Sequence, residues 1–180
     1  MASGGTHALL VERRAGDFDR AAAIARAATW FYERRGARAY ASTWSARLAE
    51  LLYWSNRHEE AERSVEVARE GAVVHDIYVQ FLWRSTAAKL AARQGLVEEA
   101  DRLSAEALRL AAASDSPLLL ADLWVARAEV LQLGEQPGEA GEAAERARTL
   151  LQEKGDVAGV AEIERLLSRR QTKSPTGLSV

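Results

Sequence analysis

The 180-residue chain contains no cysteine, only three prolines and only 12 glycines. Without cysteine it has no disulfide, no thiolate ligand for zinc and no cysteine nucleophile. A large excess of one charge is also absent, because 24 Lys and Arg residues face 26 Asp and Glu residues. A dedicated nucleic-acid-binding protein usually shows a strong basic excess, so we expect no nucleic-acid partner.

Long apolar runs are missing as well. No stretch approaches the roughly 20 consecutive apolar residues that a membrane-spanning helix requires. The first residues, Met1 to Thr6, lack the basic and apolar regions of a signal peptide. These absences predict a cytoplasmic protein without a membrane partner.

Alanine is abundant instead, with 36 residues in the chain, and few helix breakers oppose it. Four segments end in an alanine that recurs after 40, 39 and 40 residues: 16–21, 56–61, 95–100 and 135–140. Another alanine follows each after seven residues, and one precedes each of the last three by 12 residues. The eleven positions are Ala21, Ala28, Ala49, Ala61, Ala68, Ala88, Ala100, Ala107, Ala128, Ala140 and Ala147. This repetition predicts an all-α protein built of antiparallel helix pairs that cross at small residues.

The pattern Gly-x-x-Glu-Glu-Ala-x₆-Ala, present at 95–107, resembles the second helix of the tetratricopeptide repeat (TPR). Ala49, Ala88 and Ala128 match the small residue of that family's first helix. The resemblance covers 6–170, although the period of 39–40 residues exceeds the family's period of about 34. This long-period variant is similar to the C-terminal helical arrays of bacterial signalling ATPases and transcriptional activators.

The resemblance implies a right-handed α-solenoid of eight to nine helices. Its repeats are expected at 6–36, 37–73, 74–114 and 115–154, followed by a cap at 155–170. The first and last helices are predicted at 6–15 and 156–169, and the termini 1–5 and 171–180 are predicted to be disordered. Asn56 and Glu59 have the spacing of a capping box at a helix start.

Motifs for catalysis or cofactor binding are missing. The chain has no phosphate-binding Gly-x₄-Gly-Lys-[Ser/Thr] loop, no Gly-x-Gly-x-x-Gly and no His-Glu-x-x-His. His58, Glu59 and Glu60 are consecutive, so on a helix they point in different directions and are expected to form a solvated turn. His75 and Asp76 are expected at an exposed helix start. We therefore expect no enzyme activity, no metal and no cofactor.

In the TPR family the first helix of each pair lines a concave surface, which implies a groove here. The matching positions are Arg47, Glu50, Tyr53, Trp54, Tyr78, Leu82, Ser85, Lys89, Arg93, Asp122, Val125, Glu129 and Gln132. Their basic and aromatic side chains suit an acidic or C-terminal peptide segment, held by charge-assisted hydrogen bonds and an anchor pocket. The alternative is a solvated face whose charges provide solubility.

The aromatic residues are unevenly distributed, since eleven of the 12 precede residue 84. Three consecutive helical residues, Trp30, Phe31 and Tyr32, cannot all face one core. With Leu9, they form a predicted N-terminal edge that meets either upstream repeats of a longer protein or a second copy of the chain. Packing within the core is the alternative.

Two functions fit these features. The first is a non-catalytic scaffold of a bacterial signalling or transcription-regulatory system, which binds a protein or peptide in the groove. The second is a sensor module whose superhelix changes pitch when a ligand or peptide binds, because small rotations between repeats accumulate.

Overall fold

A computed structural model describes residues 17–112, 116–155 and 159–160. Seven helices form in this part of the chain: α1 (Phe18–Glu33), α2 (Arg38–Trp54), α3 (His58–Gly71), α4 (Ile77–Arg93), α5 (Val97–Ala111), α6 (Pro117–Leu133) and α7 (Pro137–Glu153). No strand occurs among the described residues, so the all-α prediction is confirmed for them.

The helix count differs from the eight to nine that were predicted. The expected helix at 6–15 lies outside the described residues, and so does the one at 156–169, except that 159–160 are helical. Leu9 and the predicted disordered ends at 1–5 and 171–180 also lie outside them.

Four of the turns between helices share one backbone conformation. Each contains a single left-handed residue after the helix end: Gly36 (φ 67°), Asn56 (φ 58°), Gly95 (φ 78°) and Glu135 (φ 59°). The next amide then donates to a carbonyl five residues earlier, as Leu96 does to Ala91 at 3.0 Å. This geometry satisfies carbonyls that the helix end leaves free and reverses the chain. The turns join α1 to α2, α2 to α3, α4 to α5 and α6 to α7.

The capping-box prediction for Asn56 and Glu59 is wrong. The left-handed position after α2 takes Asn56, and asparagine tolerates that conformation better than most residues. Arg57 therefore occupies the cap position of α3, without a side-chain hydrogen bond to the helix.

The helices form two kinds of interface, one between chain neighbours and one between alternate helices. The most extensive contacts join chain neighbours, above all α2 with α3, α4 with α5 and α6 with α7. In addition, α4 packs against both α2 and α6, whereas contacts of α5 with α3 and α7 are sparse. The helices α2, α4 and α6 consequently lie side by side, with α4 in the middle.

Small residues allow the paired helices to approach closely. Ten of the eleven repeated alanines are buried and the other, Ala28, is half-buried. Gly71 acts in the same way, because a Cβ atom there would lie 2.9 Å from the Cβ of Ser42 on α2. The Ser42 hydroxyl also donates to the carbonyl of Ala68 at 2.7 Å. These pairs of helices are therefore fixed by close backbone packing.

Candidate functional site

Six side chains from four helices meet around one aromatic ring. We call them the Tyr53 cluster: Tyr53, Trp54, His58, Lys89, Arg93 and Glu129. Tyr53 ends α2 with Trp54, and the left-handed turn that follows brings His58 back so that its ring lies 5.3 Å from the Tyr53 ring. The middle helix α4 and its neighbour α6 supply the charged members.

A hydrogen bond connects α2 with α6 across α4. The Tyr53 hydroxyl donates to Oε1 of Glu129 at 2.5 Å. Burial, followed by the charge and hydrogen bond of Glu129, raises the pKa of Tyr53 well above its ordinary value of 10.0, although Arg93 opposes this shift. Tyr53 therefore stays protonated and acts as a donor.

Two buried polar atoms of the cluster have no hydrogen-bond partner in the described structure. They are Oε2 of Glu129 and Nδ1 of His58. Buried polar groups are nearly always paired, and an unpaired one costs free energy. The cluster thus retains hydrogen-bonding capacity that a water molecule or a ligand can use.

Lys89 lies beneath the surface, with only 2% of its area exposed. Its Nζ atom is 4.6 Å from the centre of the Tyr53 ring and 4.7 Å from that of Trp54. Phe18 of α1 stacks on Trp54 with ring centres 6.2 Å apart. The ammonium group is thus held by the negative faces of two aromatic rings rather than presented to solvent.

Arg93 lies one turn beyond Lys89 on α4 and is exposed. Its charge reaches both Tyr53 and His58. Burial first, and then the charge of Arg93, lower the pKa of His58, while Glu62 and Glu129 act in the opposite direction. The imidazole is therefore neutral at pH 7, with one nitrogen available to accept a hydrogen bond.

The other predicted groove residues differ in their surroundings. Arg47 of α2 lies over the Tyr78 ring at 5.3 Å, nearer the start of α4. The remaining side chains divide by burial: Leu82 and Ser85 are buried, Glu50 and Val125 are half-buried, and Asp122 and Gln132 are exposed. Val125 packs into the apolar core between α6 and α7. Five of the predicted residues thus come together around Tyr53.

Sequence reasoning missed His58. It was expected to be solvated with Glu59 and Glu60, and Glu59 is indeed exposed, while Glu60 forms ion pairs with Arg57 at 2.7 Å and Arg26 at 3.0 Å. His58 instead points towards Tyr53, with Nδ1 buried. The feature that could have predicted this contact is the position of His58, two residues after the residue that forms the turn. From that position a side chain can contact the preceding helix.

The predicted N-terminal edge carries exposed aromatic side chains. Trp30 is 58% exposed, and the guanidinium of Arg34 lies 5.0 Å from its ring centre. Tyr32 is half-buried and stacks on Tyr40 with ring centres 5.1 Å apart. Phe31 is exposed beneath Arg35. Beside Trp30 lies an open cleft of about 410 Å³, lined also by Asp19, Ala23, Arg26, Ala27 and Arg57.

The chain matches no known protein-family model and no curated protein sequence. None of the described helices combines the length and apolar character needed to cross a membrane. Within the same residues, no group of three or more His, Asp or Glu side chains is arranged to hold a metal ion.

Proposed function

We propose that the protein is a non-catalytic, TPR-like binding module that holds a protein or peptide segment against α2, α4 and α6. Two features support a solenoid of helix pairs: a left-handed turn that recurs at Asn56, Gly95 and Glu135, and buried alanines at matching positions. The first helices contact one another while the second helices scarcely do. In a curved stack, the closely packed helices lie on the inner, concave side.

The observation that carries the proposal is the unpaired Oε2 of Glu129 within the Tyr53 cluster. A face that served only solubility would leave its polar groups in water, where they need no partner. Here an acceptor is buried beside aromatic rings, and an exposed guanidinium, that of Arg93, lies beside Tyr53, the hydrogen-bond partner of Glu129. Aromatic and arginine side chains are the commonest energetic centres of protein interfaces.

The proposed cellular setting, bacterial signalling or transcription regulation, rests on the sequence resemblance to the C-terminal helical arrays. An acidic or C-terminal peptide segment remains the expected partner near the basic side chains. Lys89 is buried, so Arg93 and Arg47 are the predicted basic side chains that can contact such a segment. Charge-assisted hydrogen bonds from arginine to a carboxylate are strong and directional.

Selection from a random dodecapeptide phage library tests the proposal. We expect enriched peptides to bind the purified protein, and Arg93→Glu to weaken their binding by about tenfold or more. Arg63→Glu, at an exposed position of α3, is the matched control and should leave the affinity unchanged. Equal affinity for wild type and Arg93→Glu, or no enriched peptide at all, would contradict binding through this face.

One observation favours the sensor alternative. The Tyr53–Glu129 hydrogen bond joins the two outer helices of the row across α4, so its geometry depends on the rotation between successive pairs. Small-angle scattering with and without a selected peptide separates the two functions. An unchanged radius of gyration supports a fixed scaffold, and a contraction supports the sensor.

A further inference from the structure

We propose that the Tyr53 cluster binds the side-chain carboxamide of an Asn or Gln residue of the partner. Its NH₂ group donates to Oε2 of Glu129 and Nδ1 of His58, and its carbonyl accepts from Arg93. The inference rests on the proposed function and names the group that this site recognises.

The acceptor side of the site is defined by Glu129. Its Oε1 atom already accepts a hydrogen bond from Tyr53 at 2.5 Å, and its Oε2 atom is buried without a partner. An ionised carboxylate can only accept hydrogen bonds. The group that completes this site must therefore be a donor.

Neighbouring charges decide which donor fits. The Lys89 ammonium lies 4.6 Å from the centre of the Tyr53 ring, and Arg93 lies beside the hydroxyl of the same tyrosine. A lysine or arginine of the partner is attracted by Glu129 and Glu62 but would enter next to these two cations, whose repulsion offsets that attraction. At this one position of the segment a carboxylate has no donor and would meet the negative charge of Glu129, whereas acidic residues elsewhere in the segment can contact Arg47. A neutral donor avoids both penalties.

Arg93 and His58 define the other hydrogen bonds that the partner's chemical group can form. The guanidinium of Arg93 is exposed and, within the described residues, forms no ion pair, so it can donate to a carbonyl oxygen. The unpaired Nδ1 of His58 supplies a second acceptor. A primary carboxamide has two N–H donors and one carbonyl acceptor, which matches this set. A backbone amide has one donor only and cannot reach a recessed atom as a side chain can.

The test uses peptides selected from the dodecapeptide library on the wild-type protein. We expect the enriched sequences to share one Asn or Gln. Replacing that residue by Leu or by the matching acid should weaken binding to the wild-type protein by about tenfold or more. This comparison changes only the peptide, so it does not depend on the folding of any variant.

Variants of the protein provide the reciprocal comparison. Glu129→Gln keeps an oxygen for Tyr53 but replaces Oε2 by an N–H donor. This variant should bind the Asn or Gln peptide about tenfold more weakly than wild type does, and it should bind the peptide with the matching acid as well as wild type does or better. His58→Phe should weaken binding of the same peptide, because the phenyl ring keeps the contact with the Tyr53 ring but has no Nδ1. Arg63→Glu is again the control.

Enrichment of peptides without a shared Asn or Gln would overturn the inference, as would equal binding of the Leu-substituted peptide. If such peptides still depend on Arg93, the proposed function stands and only the carboxamide assignment fails. Loss of dependence on Arg93 would refute both.

Discussion

The interfaces between paired helices, which we call the seams, and the Tyr53 cluster consist of different kinds of residue. The seams of α2 with α3, α4 with α5 and α6 with α7 contain buried alanines at the same positions in each pair. The Tyr53 cluster contains an ammonium, a guanidinium, a carboxylate and an imidazole, each found once. Repeated residues thus form the stack, and unrepeated ones form the candidate site.

The two regions also differ in how completely their groups are satisfied. The repeated alanines of a seam have no polar side-chain atoms, so close packing is enough to stabilise them. The Tyr53 cluster keeps two buried atoms unpaired, on Glu129 and His58, at a cost to stability. Local violations of packing and pairing rules are expected at functional sites, since binding can repay them.

The largest expected effect distinguishes Lys89 from Arg93, two basic residues that the sequence predicts on the same groove. Lys89→Glu places a carboxylate in a buried position near Glu129, so we expect the free energy of unfolding to fall by about 3–5 kcal/mol. Arg93→Glu, one turn away and exposed, should cost no more than about 1 kcal/mol, because solvent screens the new carboxylate from Glu129. Urea unfolding of both variants measures this, and equal losses would show that Lys89 is not an interior residue.

The seam is tested by two alanines of one helix. Ala107 is buried in the seam of α4 and α5, whereas Ala105 on the same helix is exposed. Ala107→Leu should lower the free energy of unfolding by about 1–3 kcal/mol through overpacking. Ala105→Leu should leave it within about 0.5 kcal/mol of wild type. If both variants unfold at the same urea concentration, close packing at alanine does not fix the pair.

The smallest effect comes from the titration of His58. Its pKa is lower in the folded protein than its ordinary value of 6.5, so the unfolded chain binds the proton more tightly. Stability is therefore fully present above pH 6.5 and falls as the pH drops from there through the lowered folded pKa. The carboxylates with shifted pKa values have an ordinary pKa of 4.5 and are lowered further, so they titrate below this window.

Thermal unfolding at about pH 7.5 and pH 5.5 measures this contribution. His58→Gln should show a smaller decrease in melting temperature between the two pH values than wild type does. His75→Gln, at an exposed site, should behave as wild type. An identical pH dependence in all three proteins would rule out burial of His58.

Much of the helical framework could be predicted from the sequence, because its signals are local. Pro117 and Pro137 begin α6 and α7, and three residues that each precede a repeated alanine by five, Asn56, Gly95 and Glu135, lie in the turns. Burial that depends on distant contacts could not be predicted in this way. Lys89 has the spacing of a groove residue, but the rings of α2 cover it.

The candidate site was predictable in part for the same reason. Helical spacing selected Tyr53, Trp54, Lys89, Arg93 and Glu129 as residues of one face, and they do meet. Spacing within helices has no information about a side chain that approaches from a turn. His58 joins the cluster because Asn56 adopts a left-handed conformation, which the capping-box interpretation of that residue obscured.

The most direct test of binding through α2, α4 and α6 is NMR chemical-shift mapping of the ¹⁵N-labelled protein with a selected peptide. We expect the largest shifts at the amides of these three helices around Tyr53, Lys89 and Glu129 and at the indole N–H of Trp54. The exposed surfaces of α3, α5 and α7 should change little. Shifts concentrated on those second helices, with none around Tyr53, would contradict it.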